Sequence, residues 1–336
     1  MPSLHPAGRP APLPGRRPWR CTVRGREEVV LKVSVVVPVY NNSGSLAPTH
    51  AGLCDVFATR LPSYEFELVF VNDGSADASL AELRAIRDAD SRVKVIDFTR
   101  NFGQMAAMLA GFKEATGDAV INVSADLQDP LDLIPEMMRS WEAGGEIVVC
   151  HRSDRADSLS ARIFSRMAYS ILRLAQPNMP DGGFDYVLMD RKVVDVFNSI
   201  DVRHRYFQGD LLWTGFRTTF IPYVRQERKI GRSQYNFSKK LKNFLDAVLD
   251  VSYLPIRLIS LAGATTSMLG MLYGITIVIA WFMGTTPFEG WAPLMIVLLV
   301  VGGLIMLMLG VIGEYVWRIN EEVRKRPNYI VREKFD

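Results

Sequence analysis

The chain has 336 residues, 49% of them hydrophobic and 22% charged, and a net charge of +3. Such values exclude wholesale disorder and collagen-like repeats, and the small net charge gives no footprint for nucleic acid. Cys21, Cys54 and Cys150 are too few and too widely spaced for a disulfide scaffold or a Cys/His metal cluster, which fits a reduced, cytosol-facing compartment.

Residues 1–28 are rich in Pro and Arg and lack the apolar core of a secretory signal, so they read as a flexible tail or an upstream start. From residue 29 to 236, apolar runs of strand length alternate with helical patterns. Strands are expected at Val33–Val37, Phe66–Val71, Val93–Phe98, Ala119–Val123 and Glu146–Cys150. Helices are expected over about Leu46–Arg60, Ala76–Asp88, Gln104–Ala115 and Leu131–Ala143. This alternation predicts an α/β fold, a mostly parallel sheet with helices on both faces.

Ligands in such sheets bind beyond the carboxyl ends of the strands. The first strand ends in Pro38-Val39-Tyr40-Asn41-Asn42, the second in Asn72-Asp73-Gly74-Ser75, and the fourth in Ser124-Ala125-Asp126-Leu127-Gln128-Asp129-Pro130. A carboxylate after the second strand can accept hydrogen bonds from a base or ribose. Gly74 permits close backbone approach to a ligand. Oxygen ligands after the fourth strand suit Mg²⁺ or Mn²⁺ bridging a diphosphate. Singly, each is also ordinary loop chemistry, and Asp129-Pro130 has the form of a helix N-cap. Neither a P-loop nor a G-x-G-x-x-G follows the first strand.

Residues 237–258 carry Leu241, Phe244, Leu245, Val248 and Leu249 on one helical face and Lys239, Lys240 and Lys242 elsewhere, as expected of a helix lying in a membrane interface. Within 259–318, Leu261–Met283 and Trp291–Gly313 contain no charge. Each would reach roughly 34 Å as a helix, enough to cross a hydrocarbon core of about 30 Å. Gly270 and Gly274 form a G-x-x-x-G pair that could pack helices closely. Basic residues flank the pair of spans, Arg257 before and Arg318, Arg324, Lys325 and Arg326 after, whereas the connection carries only Glu289. The positive-inside rule then puts both termini, including residues 319–336, in the cytoplasm.

The motifs PVYNN, FVNDGSAD, TRNFGQMAAMLAGF, GDAVINVSADLQDP, GGFDYVLMDRKVVD, QERKIGRSQYNFSKK, YLPIRL and GEYVWRINEEVRKRPNYIV stand in order along the chain. In this it resembles family 2 glycosyltransferases of the GT-A fold, and among them the polyisoprenyl-phosphate glycosyltransferases. The resemblance spans about residues 32–332. It implies inverting, metal-dependent transfer of one sugar from a nucleotide-sugar, a UDP-sugar foremost, to a polyisoprenyl (undecaprenyl) phosphate at the cytoplasmic membrane face, for cell-envelope glycan modification.

By the same resemblance, Pro38, Tyr40, Asn42, Val71 and Asp73 line the nucleotide site, and Ser124 and Ala125 the sugar-nucleotide. Asp126, Gln128 and Ser124 would hold Mg²⁺ or Mn²⁺. Arg228 and Gln234 would face the donor phosphates, and Arg152, Arg162 and Ser165 the acceptor phosphate, for which the planar guanidinium fork is suited. Asp129 and Asp185 would orient the sugar or act as an auxiliary base; no catalytic histidine is expected. Relatives imply a homo-oligomer such as a tetramer. Three departures stand out: Ser124 replaces the first Asp of the usual Asp-x-Asp, Asn42 a Glu, and Gln234 a Lys. Two rivals remain at this point. A processive synthase would carry Q-x-x-R-W and more spans, but here G-D-L-L separates Gln208 from Trp213. A non-enzymatic sugar-nucleotide-binding subunit draws support only from Ser124 and Asn42.

Overall fold

A computed structural model describes residues 30–152, 179–180, 183–200, 202, 205–224, 254–284 and 292–336. Its core is an eight-stranded sheet in the order β7-β5-β6-β4-β1-β2-β3-β8. The strands are β1 (Lys32–Val39), β2 (Glu65–Asn72), β3 (Val93–Phe98), β4 (Ala119–Asn122), β5 (Ile147–Arg152), β6 (Tyr186–Asp190), β7 (Thr218–Tyr223) and β8 (Val331–Phe335). Helices α1 (Leu46–Arg60), α2 (Ser79–Ala89) and α3 (Gln104–Glu114) connect the first four, and α4 (Ile134–Glu142) precedes β5. Helices α5 (Arg191–Ser199) and α6 (Phe207–Trp213) lie between β6 and β7.

β1 pairs in parallel with β2 and β4, and β2 with β3. Its unbroken Val33–Val37 stretch suits a strand covered on both faces. Val33, Val35 and Val37 enter one core with Leu53, Phe57 and Leu68; Val36 points the other way, into a second core with Val69, Phe112 and Phe197. The fifth expected strand does not extend the parallel run. β6 inserts antiparallel between β4 and β5, and β7 then lies parallel to β5. β8 adds antiparallel to the outer edge of β3.

At the amino ends of the strands, buried Glu67 accepts hydrogen bonds from Ser34 Oγ (2.6 Å), Lys32 Nζ (2.8 Å) and the Thr116 N–H (2.7 Å). Burial pushes its carboxyl up, but these donors outweigh that and hold it down to about 2. A carboxyl held below its ordinary range stabilises the fold above the unfolded-state value, and that contribution disappears as pH falls toward 2. Glu67→Ala, which strands the cations and hydroxyls around it, is expected to cost about 3 kcal/mol at neutral pH, with the deficit shrinking in acid. Denaturant titrations at pH 7 and pH 3 check this; equal deficits at both would contradict it.

Two long helices follow, α7 (Leu254–Phe282) and α8 (Ala292–Val323). α7 starts ahead of its uncharged stretch, at Leu254, and α8 runs on past its own into polar residues such as Glu314 and Arg318, which pair at 3.1 Å. Their apolar windows, Ile259–Ala280 and Val300–Val323, have mean hydropathies of 1.5 and 1.9, and neither is buried at all. So much exposed apolar surface calls for a non-aqueous partner. Gly263 on α7 meets Met308 on α8. A Cβ built at Gly270 or Gly274 would meet nothing within 4 Å among the described residues, so the G-x-x-x-G pair is not a point of contact between the described parts of these helices. The tail 1–28 and residues 237–253 of the interface helix expected over 237–258 lie outside the described residues, and its last residues, from Leu254, form the start of α7.

Candidate active site

The chain order reverses at β1, whose neighbours are β2 and β4. Such a switch point opens a crevice at the carboxyl ends of the strands. The β1–β4 ladder stops at Val36↔Asn122, followed by a bond from the Val123 N–H to the Val36 carbonyl, while β1 and β2 stay paired to Val39↔Asn72. Pro38 therefore sits past the β4 ladder, where a missing N–H costs nothing, and beside Val71. Three expected ends, carrying Tyr40, Asp73 and Asp126, are thus brought to one edge.

The first two ends are stitched together. The Asn41 N–H donates to Ser75 Oγ (3.0 Å), Asn42 N–H to Ser79 Oγ (2.9 Å) and Ser43 N–H to Asp77 Oδ2 (3.0 Å). The Asn42 side chain accepts from the Tyr40 N–H at 2.9 Å, so its amide shapes the turn. Tyr40 remains exposed, a ring free to stack.

Asp73 is buried, and its two oxygens accept from the N–H groups of Phe102 (2.6 Å) and Gly103 (2.9 Å) ahead of α3. Burial raises its carboxyl above the ordinary range against the pull of those donors. The close approach expected at Gly74 is made to the chain itself. With φ of +62°, a Cβ there would lie 2.4 Å from the Arg100 carbonyl carbon. Gly74→Ala is expected to cost more than about 3 kcal/mol, since both the left-handed backbone and the opposing backbone resist it. Thermal unfolding checks this, and an unchanged midpoint would contradict it.

The third end carries the oxygen ligands. Buried Asp126 receives the Gln128 N–H on Oδ1 at 3.2 Å. Between them Leu127 has φ of +58°, a left-handed conformation that a branched residue adopts only where its surroundings enforce it. Ser124 Oγ is buried and has no hydrogen-bond partner among the described residues. An unpartnered buried hydroxyl two residues from a buried carboxylate is oxygen chemistry that would suit a hard divalent cation, which Asp126, Ser124 and Gln128 would hold. The Ala125 carbonyl is pinned to the start of α1 by Ser45 Oγ at 2.7 Å.

Asp129 does not cap a helix. Its Oδ2 accepts from the Ser124 N–H (3.0 Å) and its Oδ1 from the Tyr223 hydroxyl (3.1 Å). Tyr186 donates to the Pro130 carbonyl at 3.1 Å. Arg152 stands opposite Tyr223 in the β5–β7 register. Burial, then the Asp129 charge, pushes both the Tyr223 phenol and the Cys150 thiol well up, so both stay protonated. The contacts of the two tyrosines were not anticipated, because their strands are remote from the loop in sequence, although Tyr186 stands within the GGFDYVLMDRKVVD motif. Asp185 is exposed, and the Asn122 amide holds its carbonyl at 2.8 Å. Arg162, Ser165, Arg228 and Gln234 lie outside the described residues.

Contrary to expectation, one His/Cys/Asp group does assemble. His50 Nε2 lies 2.9 Å from Asp90 Oδ2, and Cys54 Sγ lies 3.5 Å from His50. Arg92 donates to both Asp90 oxygens, at 2.9 and 2.8 Å, and holds that carboxyl well below its usual range. The guanidinium already supplies the positive charge a metal would bring. The group sits at the amino end of β3, away from the strand ends that form the crevice.

Residues 34–197 match the family model described as glycosyl transferase family 2. The chain is 38% identical over 307 residues to the uncharacterized glycosyltransferase YkcC of Bacillus subtilis, covering 91% of this chain and 94% of that one. The chain belongs to glycosyl transferase family 2. This family 2 glycosyltransferase is also 34% identical over 304 residues to the SfII prophage-derived bactoprenol glucosyl transferase of Shigella flexneri, covering 90% and 98% of the two chains. The prophage bactoprenol glucosyl transferase homolog of Escherichia coli is 34% identical, at 90% and 99% coverage. A remote likeness exists to glucosyl-3-phosphoglycerate synthase from Mycobacterium tuberculosis, with 16% identity, a TM-score of 0.45, and 65% and 77% of the chains covered. As a member of family 2, the chain is a glycosyltransferase. Its mostly parallel sheet and two apolar carboxyl-terminal helices agree with the expected fold class.

Proposed function

We propose that this glycosyltransferase moves one sugar, glucose foremost, from a UDP-sugar to undecaprenyl phosphate, with inversion and on the cytoplasmic side of a membrane. The observation that carries the reading is the convergence of Tyr40, Asp73 and the Ser124–Asp126–Gln128 oxygens at one switch point, in a chain that matches bactoprenol glucosyl transferases over nearly its whole length. Tyr40 stacks on the base. The Asp73 loop bounds the ribose. Asp126, Ser124 and Gln128 hold Mg²⁺ or Mn²⁺, which supplies positive charge to the departing diphosphate.

A phosphomonoester acceptor, with a second pKa of about 6, already carries its nucleophilic charge at pH 7. No general base is then required, in keeping with Asp129 being committed to Ser124 and Tyr223. Arg152, with Arg162 and Ser165, orients the acceptor phosphate, and Arg228 and Gln234 face the donor phosphates. The acceptor's tail resists leaving the bilayer by about 0.8 kcal/mol per CH₂, so the catalytic sheet must be held at the membrane. α7 and α8 suit that purpose. β8 follows them and returns to the sheet, which favours an even number of crossings and both ends on one side.

Purified full-length protein, incubated with radiolabelled UDP-glucose and undecaprenyl phosphate with and without EDTA, should form a single-sugar lipid only where divalent metal is free. A polymer, or no lipid product from any nucleotide-sugar, would overturn the proposal.

A further inference from the structure

We infer that the strand following the membrane hairpin is a working part of the donor site, with Arg332 as a positioning residue for the Asp73 loop. The inference rests on the nucleotide-sugar reading above for its functional meaning, and on independent geometry for its structure.

β8 is a charged strand at the sheet edge, and its ladder with β3 is irregular. Asp97 pairs with Glu333, but Phe98 pairs with Val331, which leaves Arg332 as an extra residue. Such bulges re-aim a side chain. Here Arg332 Nη1 reaches Asp97 Oδ2 at 3.3 Å, and its Nη2 donates to the Thr99 carbonyl at 2.8 Å. Asp97 is 1% exposed, a carboxylate whose burial demands a partner. Its other oxygen accepts from Asn72 Nδ2 at 2.7 Å, and Asn72 immediately precedes Asp73.

A second set of contacts reaches the same loop. The Thr99 N–H donates to the Ile330 carbonyl at 3.1 Å. Tyr329 stacks on Phe98 with centroids 5.0 Å apart, and Phe98 meets Phe102 edge-on at 5.8 Å. Residues 329–332 thus hold both ends of the 99–103 segment, whose Phe102 and Gly103 N–H groups bind the Asp73 carboxylate. The chain leaves the sheet, forms the hairpin, and comes back to finish the loop. Donor affinity therefore depends on residues that lie beyond the membrane spans in sequence.

The test uses full-length protein in phospholipid nanodiscs, as the parent, Arg332→Met, Arg332→Lys and Lys334→Met. Lys334 lies on the same strand but pairs outward with Glu114. Without ligand, amide hydrogen exchange at Phe102 and Gly103 should be about tenfold faster in Arg332→Met, recover in Arg332→Lys, and match the parent in Lys334→Met. With UDP-glucose, Arg332→Met should raise the donor KM about tenfold while kcat and the acceptor KM stay near parent values. Unchanged exchange at the two amides would overturn the inference. So would a uniform acceleration across the sheet, which marks a merely structural role, or local loosening with an unchanged donor KM. If the parent neither binds UDP nor transfers sugar, the donor reading fails, and the exchange data alone decide whether Arg332 holds the loop.

Discussion

Asp126→Asn is expected to reduce sugar-lipid formation about a thousandfold while leaving the fold intact. Asparagine keeps the volume of the side chain, and its carbonyl oxygen can still accept the Gln128 N–H that Asp126 receives at 3.2 Å. The midpoint of thermal unfolding should therefore move little. What disappears is the formal charge beside Ser124 Oγ, the buried oxygen without a partner among the described residues. Ser124 itself cannot make up the loss, because a hydroxyl offers a neutral oxygen. The converse change, Ser124→Asp, should lower the Mn²⁺ concentration needed for half-maximal rate. Transfer of labelled sugar into the lipid extract, measured beside the unfolding midpoint, checks both. A normal rate in Asp126→Asn would remove the residue from the site.

Asp129→Ala is expected to cost about 3 kcal/mol in stability and to abolish transfer as well. The change removes the acceptor that the Ser124 N–H and the Tyr223 hydroxyl share, in the largely buried space under the loop. Tyr223→Phe removes one of the two bonds together with its own donor, so it should cost only about 1 kcal/mol. The double variant should then cost less than the sum, since the same bond cannot be lost twice. Urea titrations of the three variants measure the coupling. Additive losses would mean that Tyr223 and Asp129 do not act as a pair.

The parts of the fold that were legible share a physical cause. β1 to β4 are apolar runs covered on both faces, and their sequences announce it. β5 was found, but nothing in Ile147–Arg152 shows that another strand intervenes between it and β4. β6 is a short run, Tyr186–Asp190, and although Pro180-Asp181-Gly182-Gly183 precede it, nothing in it shows that it runs antiparallel between β4 and β5. β7 carries Pro222, which argues against a strand until one sees that β7 lies at the sheet edge. β8 reads Val-Arg-Glu-Lys-Phe, a charged segment whose Arg332 meets Asp97 from 235 residues away. Long-range pairing of that kind leaves no local pattern.

The site divides along the same line. Tyr40, Asp73, Asp126 and Gln128 were legible because polar turn residues interrupt buried strands at one end of the sheet. The roles of Asn42 and Asp129 as internal hydrogen-bond acceptors were not, since they depend on which N–H groups the fold brings near. Gly74 was marked as a point of close approach, and the backbone of Arg100 and Asn101 makes one such approach. The contacts of Tyr186 and Tyr223 escaped notice because only the sheet order brings β6 and β7 to the 124–130 loop.

The most direct test of the central claim is a Mn²⁺ titration of the full-length protein in the presence of UDP, followed by electron paramagnetic resonance. The account predicts one tightly held ion per parent chain and none in Asp126→Asn. Equal Mn²⁺ binding by the two proteins would contradict it.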